Sequence, residues 1–263
     1  MNFECIRVES RGQILIITLN RPQLMNALHK KMHAELQAAF DSFAVNAEQQ
    51  ICVITGAGER AFCAGSDLKA AAAAADISAG GYPKNGYAGL IERFDLNKPI
   101  IAAVNGIALG GGFELALACD IILASDNAIF GLPEPLVGAV ALGGGLHRLA
   151  RQIGLKQAMG MILTARRVSA AEGLRLGFVN EVVPASDLNA AVVRWCTEIL
   201  KCAPLAIRAS KETVMRGLDE PSLAESIRRQ EEYPGFAAWK KSEDTIEGPR
   251  AFAEKRPPRW RGI

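Results

Sequence analysis

The chain has 263 residues, 49% hydrophobic and 22% charged, with 30 basic against 28 acidic side chains and a formal net charge of +2. That is enough chain for one large domain, or a domain with a helical appendage, at an ordinary globular balance. The near-neutral charge leaves no electrostatic footprint for nucleic acid or a membrane surface. Met1-Asn2-Phe3-Glu4-Cys5 lacks a basic-then-apolar targeting pattern, and no apolar run reaches membrane-spanning length without charges or several glycines. A cytoplasmic location is the expectation.

In chain order, the β-rich run 14–19 reads as a strand stopped by Asn20-Arg21-Pro22, and 5–8 pairs with it through a Ser10-Arg11-Gly12 turn. Residues 30–45 have helical spacing, with Met32, Leu36, Ala39, Phe40 and Phe43 on one face. His29 and His33 lack the acid of a zinc-protease motif and read as a polar face of that helix. Further strands are expected at 51–55, 100–104 and 121–124, with a short one at 128–131. The alanine run 70–75 favours helix, and Gly80-Gly81-Tyr82-Pro83 favours a loop, serving either as a lid or as plain surface. Continuous apolar strands alternating with helices up to about residue 182 indicate a parallel sheet covered on both faces. Helices follow at 187–200, 204–218, 222–233 and 242–254. The basic cluster 255–261 reads as a solvated tail. Six cysteines, none in a Cys-x-x-Cys pair and most in apolar runs, read as reduced core thiols, and no metal-ligand spacing occurs.

Three segments carry candidate chemistry. The first, 60–69, follows the strand 51–55 and contains the small-residue turn Ala64-Gly65-Ser66, whose backbone N–H groups lack steric cover. In the second, Gly110-Gly111-Gly112 opens an apolar helix with Glu114 in its first turn. Glycine admits a ligand close to the backbone. Helix starts leave N–H groups unpaired and carry partial positive charge, so this is a place for an oxygen that becomes negative during a reaction. The third, Phe130-Gly131-Leu132-Pro133-Glu134, sets an acid after a strand. Loops at the ends of parallel strands converge on one crevice. Each segment alone has other readings. The glycine triplet also suits phosphate binding or close helix packing. Glu114, flanked by apolar residues, is expected to be buried, either as a catalytic acid or bridged to an arginine, and Glu134 either works with it or caps a turn. A dinucleotide site is excluded, because the triplet lacks G-x-G-x-x-G spacing.

Together and in this order, the segments resemble the crotonase (enoyl-CoA hydratase/isomerase) superfamily, with the carnitinyl-CoA dehydratase branch closest in look. The resemblance runs from Asn20-Arg21-Pro22 and Asn26-Ala27-Leu28 to Ala251-Phe252-Ala253-Glu254-Lys255-Arg256. Asp67-Leu68-Lys69, Pro99-Ile100-Ile101-Ala102-Ala103-Val104-Asn105-Gly106, Ser242-Glu243-Asp244 and Glu247-Gly248-Pro249 carry the branch likeness. It implies an α/β fold: a spiral of β-β-α repeats, taken as residues 1–200, and a C-terminal helical trimerisation region, 201–263. Trimers, or two stacked trimers, are the implied assembly. The implied substrate is a coenzyme A thioester, with no other cofactor and no metal. By position, the Ser66 and Gly111 amides match the oxyanion hole, and Glu114 and Glu134 match the paired acids. Met25, Ala27, Ala64, Asp67 and Leu68 fall along the coenzyme A channel. Gly65, Leu109, Gly110 and Pro133 are further implied substrate-binding positions, the loop with Leu142 shapes the acyl pocket, and Phe252 and Lys255 match a pair reaching the adenine end. Ala141-Leu142 departs from the Pro-Gly of hydratases and the Pro-Asp of the dehydratase branch, which makes the implied pocket more apolar.

Such a site adds water reversibly across the C2=C3 bond of a 2-enoyl-CoA. Two carboxyl groups sharing a site ionise apart, so that one serves as base and the other as acid. One split has Glu134 exchanging the α proton while Glu114 activates water; the reverse is the other. Carnitinyl-CoA dehydration is the alternative activity, using the same steps on a cationic substrate that an aromatic face (Tyr82, Tyr87 or Phe94) would recognise. Enoyl-CoA isomerisation also occurs on this fold. A non-catalytic RNA-binding relative would require a basic patch, which the net charge opposes.

Overall fold

The computed structural model describes residues 3–69 and 82–263, so the alanine run and Gly80-Gly81 lie outside the described residues. Strands β1 (Ile6–Arg11) and β2 (Ile14–Leu19) form an antiparallel hairpin. Its turn is Gly12-Gln13, later than expected, because Arg11 still pairs with Ile14 and Gly12 supplies a φ of 57°. From β2 the sheet continues in parallel through β3 (Ile51–Gly56), β5 (Ile100–Val104), β7 (Ile121–Ser125) and β10 (Glu181–Val183). β3 and β5 are almost wholly buried, as continuous apolar runs require when both faces are covered.

A second sheet was not visible as such in the sequence. β4 (Ala61–Cys63), β6 (Ile107–Leu109) and β8 (Ile129–Gly131) run parallel, and β9 (Val168–Ser169) closes it antiparallel to β8. The chain thus lays one strand in the large sheet, the next in the small sheet, and repeats: β3-β4, β5-β6, β7-β8. This is the β-β-α spiral. Residues 107–109, which the apolar pattern did not mark as an element, are a strand of it.

Helix α1 (Lys30–Val45) buries Met32, Leu36, Ala39, Phe40 and Phe43 as expected. His33 corrects the polar-face reading. It is buried, and its Nδ1 accepts the Ala88 N–H at 3.0 Å. Burial, then neighbouring His29, push its pKa down to about 4, so it is a neutral core residue. Helix α2 (Gly111–Leu117) is buried throughout. Phe113 on it packs with Phe130 and Phe178, at ring centroids 5.1–5.3 Å apart. Three more helices follow: α3 (Gly145–Gln152), α4 (Leu155–Thr164) and α5 (Ala170–Leu176).

After β10 the chain is helical: α6 (Leu188–Leu200), α7 (Pro204–Gly217), α8 (Leu223–Arg229), α9 (Pro234–Lys240) and α10 (Asp244–Ala253). The single helix expected over 222–233 ends earlier, in a 3-10 turn at Gln230–Glu232, and Pro234 starts a new helix at its first position. The chain divides into two compact units, Met1–Arg93 with Ile100–Val193, and Phe94–Pro99 with Arg194–Ile263.

In the second unit the basic end is not a solvated tail. The Arg261 and Gly262 N–H groups donate to the Asp244 carboxylate at 2.8 and 3.0 Å. Arg256 makes two bonds to Glu247, at 2.6 and 2.9 Å, and Trp260 Nε1 donates to the Lys201 carbonyl at 2.7 Å. Acids in the first turns of α10 draw the arginines onto it. All six cysteines are free, with Cys202 alone exposed. Among the described residues, no helix is long and apolar enough to cross a membrane.

Candidate active site

The site grows from the ends of the small sheet. β4 leads into Ala64-Gly65-Ser66-Asp67, and β6 leads through Gly110 into α2. Gly110 adopts a φ of 53°, and its N–H is held by the Gly131 carbonyl at 2.9 Å. Gly111 is the first residue of α2, so its N–H is among those a helix leaves unpaired. The two loops touch: a methyl group on Gly65 would fall 3.1 Å from the Gly111 nitrogen. A side chain at Gly112 would overlap the Cys63 carbonyl, which explains why the helix must open on glycine to start against β4. The structure therefore brings the Ser66 and Gly111 segments together.

A third segment secures them. Leu28 pairs with Ser66 as an isolated bridge: its N–H donates to the Gly65 carbonyl, and the Asp67 N–H donates to the Leu28 carbonyl, both at 2.8 Å. The Ala64 N–H donates to the Met25 carbonyl at 3.0 Å. Asn26, fully buried, donates to the Ala57 and Ala61 carbonyls at 3.0 and 2.8 Å. Arg21 bonds the Ala27 carbonyl at 2.6 Å and the Asp67 carboxylate at 3.0 Å. In the sequence Arg21 and Asn26 stand out only as a strand stop and as part of the family resemblance, with no structural role assigned to either side chain. Their side chains span 31 to 46 residues of sequence, a separation no local pattern records.

Glu114 projects from α2 into a nearly closed environment, with 3% of its surface exposed. The Gly145 N–H donates to its Oε1 at 2.9 Å. Burial raises its pKa to about 7; the Gly145 and Gly143 amides and Arg148 pull it down, and the Glu134 charge pushes it further up. No ion pair joins it to an arginine among the described residues. Arg148 donates instead to the Ile91 carbonyl at 2.6 Å. Glu134 opens a 3-10 turn (Glu134–Val137) just after β8. Burial raises its pKa as well, and its Oε2 is buried with no hydrogen-bond partner among the described residues. A methyl group on Gly110 would fall 2.9 Å from Glu134 Oε1, so this carboxylate lies beside the residue preceding Gly111. Two acids close enough for the Glu134 charge to act on Glu114, both held toward the neutral form and one with an oxygen unpartnered among the described residues, are suited to pass protons to and from a substrate.

The remaining expected residues scatter more. Ala27 and Leu109 are buried, Met25 and Pro133 half-buried, and Leu68 is 58% exposed. Leu142 is 82% exposed, and Gly143 and Gly145 beside it lie against Glu114. Phe252 and Lys255 lie in the second unit, on α10 and just past it, and both are exposed. Of the aromatic candidates, Tyr87 is 3% exposed and presents no open face. Tyr82 is 60% exposed, lies edge-on to Tyr87 and His33, and feels the Glu114 charge. Among the described residues, no group of three His, Cys, Asp or Glu side chains is placed to hold a metal ion.

The enoyl-CoA hydratase/isomerase family model matches residues 9–262. A protein named carnitinyl-CoA dehydratase from Proteus mirabilis is 44% identical over 98% of this chain and 99% of its own. The crystal structure of an enoyl-CoA hydratase from Mycobacterium tuberculosis H37Rv superposes with a TM-score of 0.90 at 37% identity, covering 98% of this chain and 99% of that one. An enoyl-CoA hydratase from Bacillus anthracis gives 0.89 at 33% identity, covering 99% and 100%.

Proposed function

This chain belongs to the enoyl-CoA hydratase/isomerase family, and from that premise we propose that it is a hydro-lyase adding water reversibly across the C2=C3 bond of a 2-enoyl-CoA thioester. Conjugation to the thioester carbonyl makes C3 electrophilic. Water adds there once the growing enolate oxygen is stabilised, which is the role of the Ser66 and Gly111 amides; losing one such donor raises the barrier by about 2.7–4 kcal/mol in comparable sites. Glu134 lies next to Gly110, hence on the carbonyl side, and exchanges the proton at C2. Glu114, held by the Gly145 amide, takes the proton from water. The observation that supports this reading is the coupling of two buried acids: the Glu114 pKa stands near 7 and is pushed up by the Glu134 charge, and Glu134 Oε2 is buried with no partner among the described residues. Both proton transfers use side chains, so the reaction needs no metal and no cofactor beyond the coenzyme A of the substrate.

The 44% identity to carnitinyl-CoA dehydratases and the open ring of Tyr82 near Glu114 favour a second substrate, with a trimethylammonium group on the acyl chain. Purified protein assayed with crotonyl-CoA and crotonobetainyl-CoA side by side, by loss of the conjugated-thioester absorbance, ranks the two. Turnover of neither, with coenzyme A binding retained, overturns the hydro-lyase reading. The solvent-facing apolar residues Leu155, Met159 and Leu163 recur every four residues on α4, as a surface for self-association would, and support a homotrimer or dimer of trimers. Light scattering of the intact chain tests this. Six free thiols fit a cytoplasmic location.

A further inference from the structure

We propose that Tyr87 is a positioning residue of the oxyanion hole, its buried hydroxyl tying the Ser66 segment to the start of α2 so that the two amide donors keep a fixed spacing. The inference rests on the hydro-lyase reading and adds to it a side chain outside the three segments that define the site.

Tyr87 Oη and Ser66 Oγ share a hydrogen bond of 3.0 Å. On its other side the phenol packs directly on Gly111, where any methyl group would overlap Oη. A single buried side chain therefore touches both residues whose amides are to meet the thioester oxygen. Burial raises the Tyr87 pKa well above the ordinary phenol value, so the hydroxyl keeps its proton across the working range.

Tyr87 is itself fixed from behind. It begins a 3-10 turn (Tyr87–Gly89) in which Ala88 takes a φ of 55°, a left-handed conformation that a non-glycine residue adopts only under constraint. Helix α1 supplies the constraint. His33 accepts the Ala88 N–H, and its ring meets the Tyr87 ring edge-on at 4.6 Å. Gln37 exchanges two bonds with Asn85, of 2.7 and 3.0 Å, just before the turn. A side chain on Gly89 would strike the Gln37 backbone. The neutral state of His33 has a purpose in this arrangement, since only an unprotonated Nδ1 accepts the Ala88 amide. The path from α1 through the turn to the hydroxyl is one of direct contacts, and strain at Ala88 is what such positioning costs.

Tyr87→Phe removes the hydroxyl and nothing else. The expected result is a fall in kcat of about three- to ten-fold, the worth of one hydrogen bond in a rate, with KM within about two-fold. Infrared spectra of bound butyryl-CoA labelled at the carbonyl carbon read hydrogen bonding to the thioester oxygen directly. The variant should lose part of the downshift that the wild-type protein imposes. Ser66→Ala deletes the same bond from its exposed end and keeps the amide. It should reproduce both effects, and the double variant should be no worse than either single one. Ser66→Ala carries the test if Tyr87→Phe does not fold. Wild-type kcat and a full downshift in the variants, or losses that multiply in the double variant, overturn the inference while leaving the hydro-lyase reading standing. A wild-type protein that hydrates neither test substrate and leaves the bound carbonyl unshifted overturns both.

Discussion

Glu114 and Glu247 are the same side chain in opposite surroundings. Glu247, on α10, is met by both arms of the Arg256 guanidinium and by the Arg259 N–H, which together hold its pKa down to about 2. Glu114, on α2, is buried against glycines with no ion pair among the described residues, and its pKa stands at about 7. The C-terminal unit uses Glu247 and Asp244 to fasten chain to chain, with both oxygens of each engaged. The spiral unit gives Glu114 backbone amides rather than a counter-charge, leaves Glu134 Oε2 without a partner among the described residues, and tolerates the desolvation. An acid that no cation neutralises is available to a substrate, and an acid paired with a guanidinium at both oxygens is structural.

The largest effect should come from removing that availability. Glu114→Gln and Glu134→Gln each should lower kcat about 10²–10⁴-fold, the usual worth of a general acid or base, with the fold intact by circular dichroism. Solvent-deuterium exchange at the α carbon separates them: Glu134→Gln should abolish it, and unchanged exchange reverses the assignment. Because Glu114 must be ionised to accept a proton from water, kcat/KM for hydration should rise with pH through about 7. A Glu247→Gln variant should leave that inflection where it is.

Gly143→Ala probes the surroundings rather than the acid. A methyl group there would fall against the Glu114 carboxylate. The end of a flexible side chain moves aside at small cost, so the melting temperature should barely change while kcat falls by about 10²-fold, as expected for displacement by an ångström. Equal losses of stability and activity would mean that the Gly143 to Gly145 stretch is a packing element, and the contrast with the C-terminal unit would lose its basis.

Much of this arrangement was legible from residue order. The long strands at 14–19, 51–55, 100–104 and 121–124 announced themselves as apolar runs, and Glu114 stood out as a charge among apolar neighbours behind three glycines. β4 and β6 did not, because a three-residue strand has no period to detect and is defined by its partner. Tyr87 read as a candidate face for a cationic substrate, since its contact with Ser66, 21 residues away, leaves no local signal. His33 read as surface because Ala88, whose amide it serves, is 55 residues distant. Gly143-Gly144-Gly145 carries no sign in its order that two of its amides address one carboxylate. Local chemistry revealed the reacting groups, whereas the groups that hold them depend on contacts made only after folding.

The smallest effect, and the one that sets the two acids directly against each other, is their influence on stability. The folded-state pKa of Glu114 is raised, so the folded protein binds more protons than the unfolded chain between about 4.5 and about 7. Its contribution to stability is fully present below 4.5 and is lost as pH rises through 7. Glu247 is the reverse: its lowered pKa gives a contribution present above 4.5 and lost as pH falls through about 2. Relative to wild type, Glu114→Gln should therefore gain several degrees in melting temperature at pH 8 and nothing at pH 4. Glu247→Gln should lose about 1–3 °C at pH 7, a loss shrinking as pH drops toward 2, because exposed pairs contribute little. Melting curves of both variants from pH 3 to 8 decide the matter. Two differences of the same sign would mean that Glu114 is held by its neighbours as firmly as Glu247, and an acid held that firmly has no proton to exchange with a substrate.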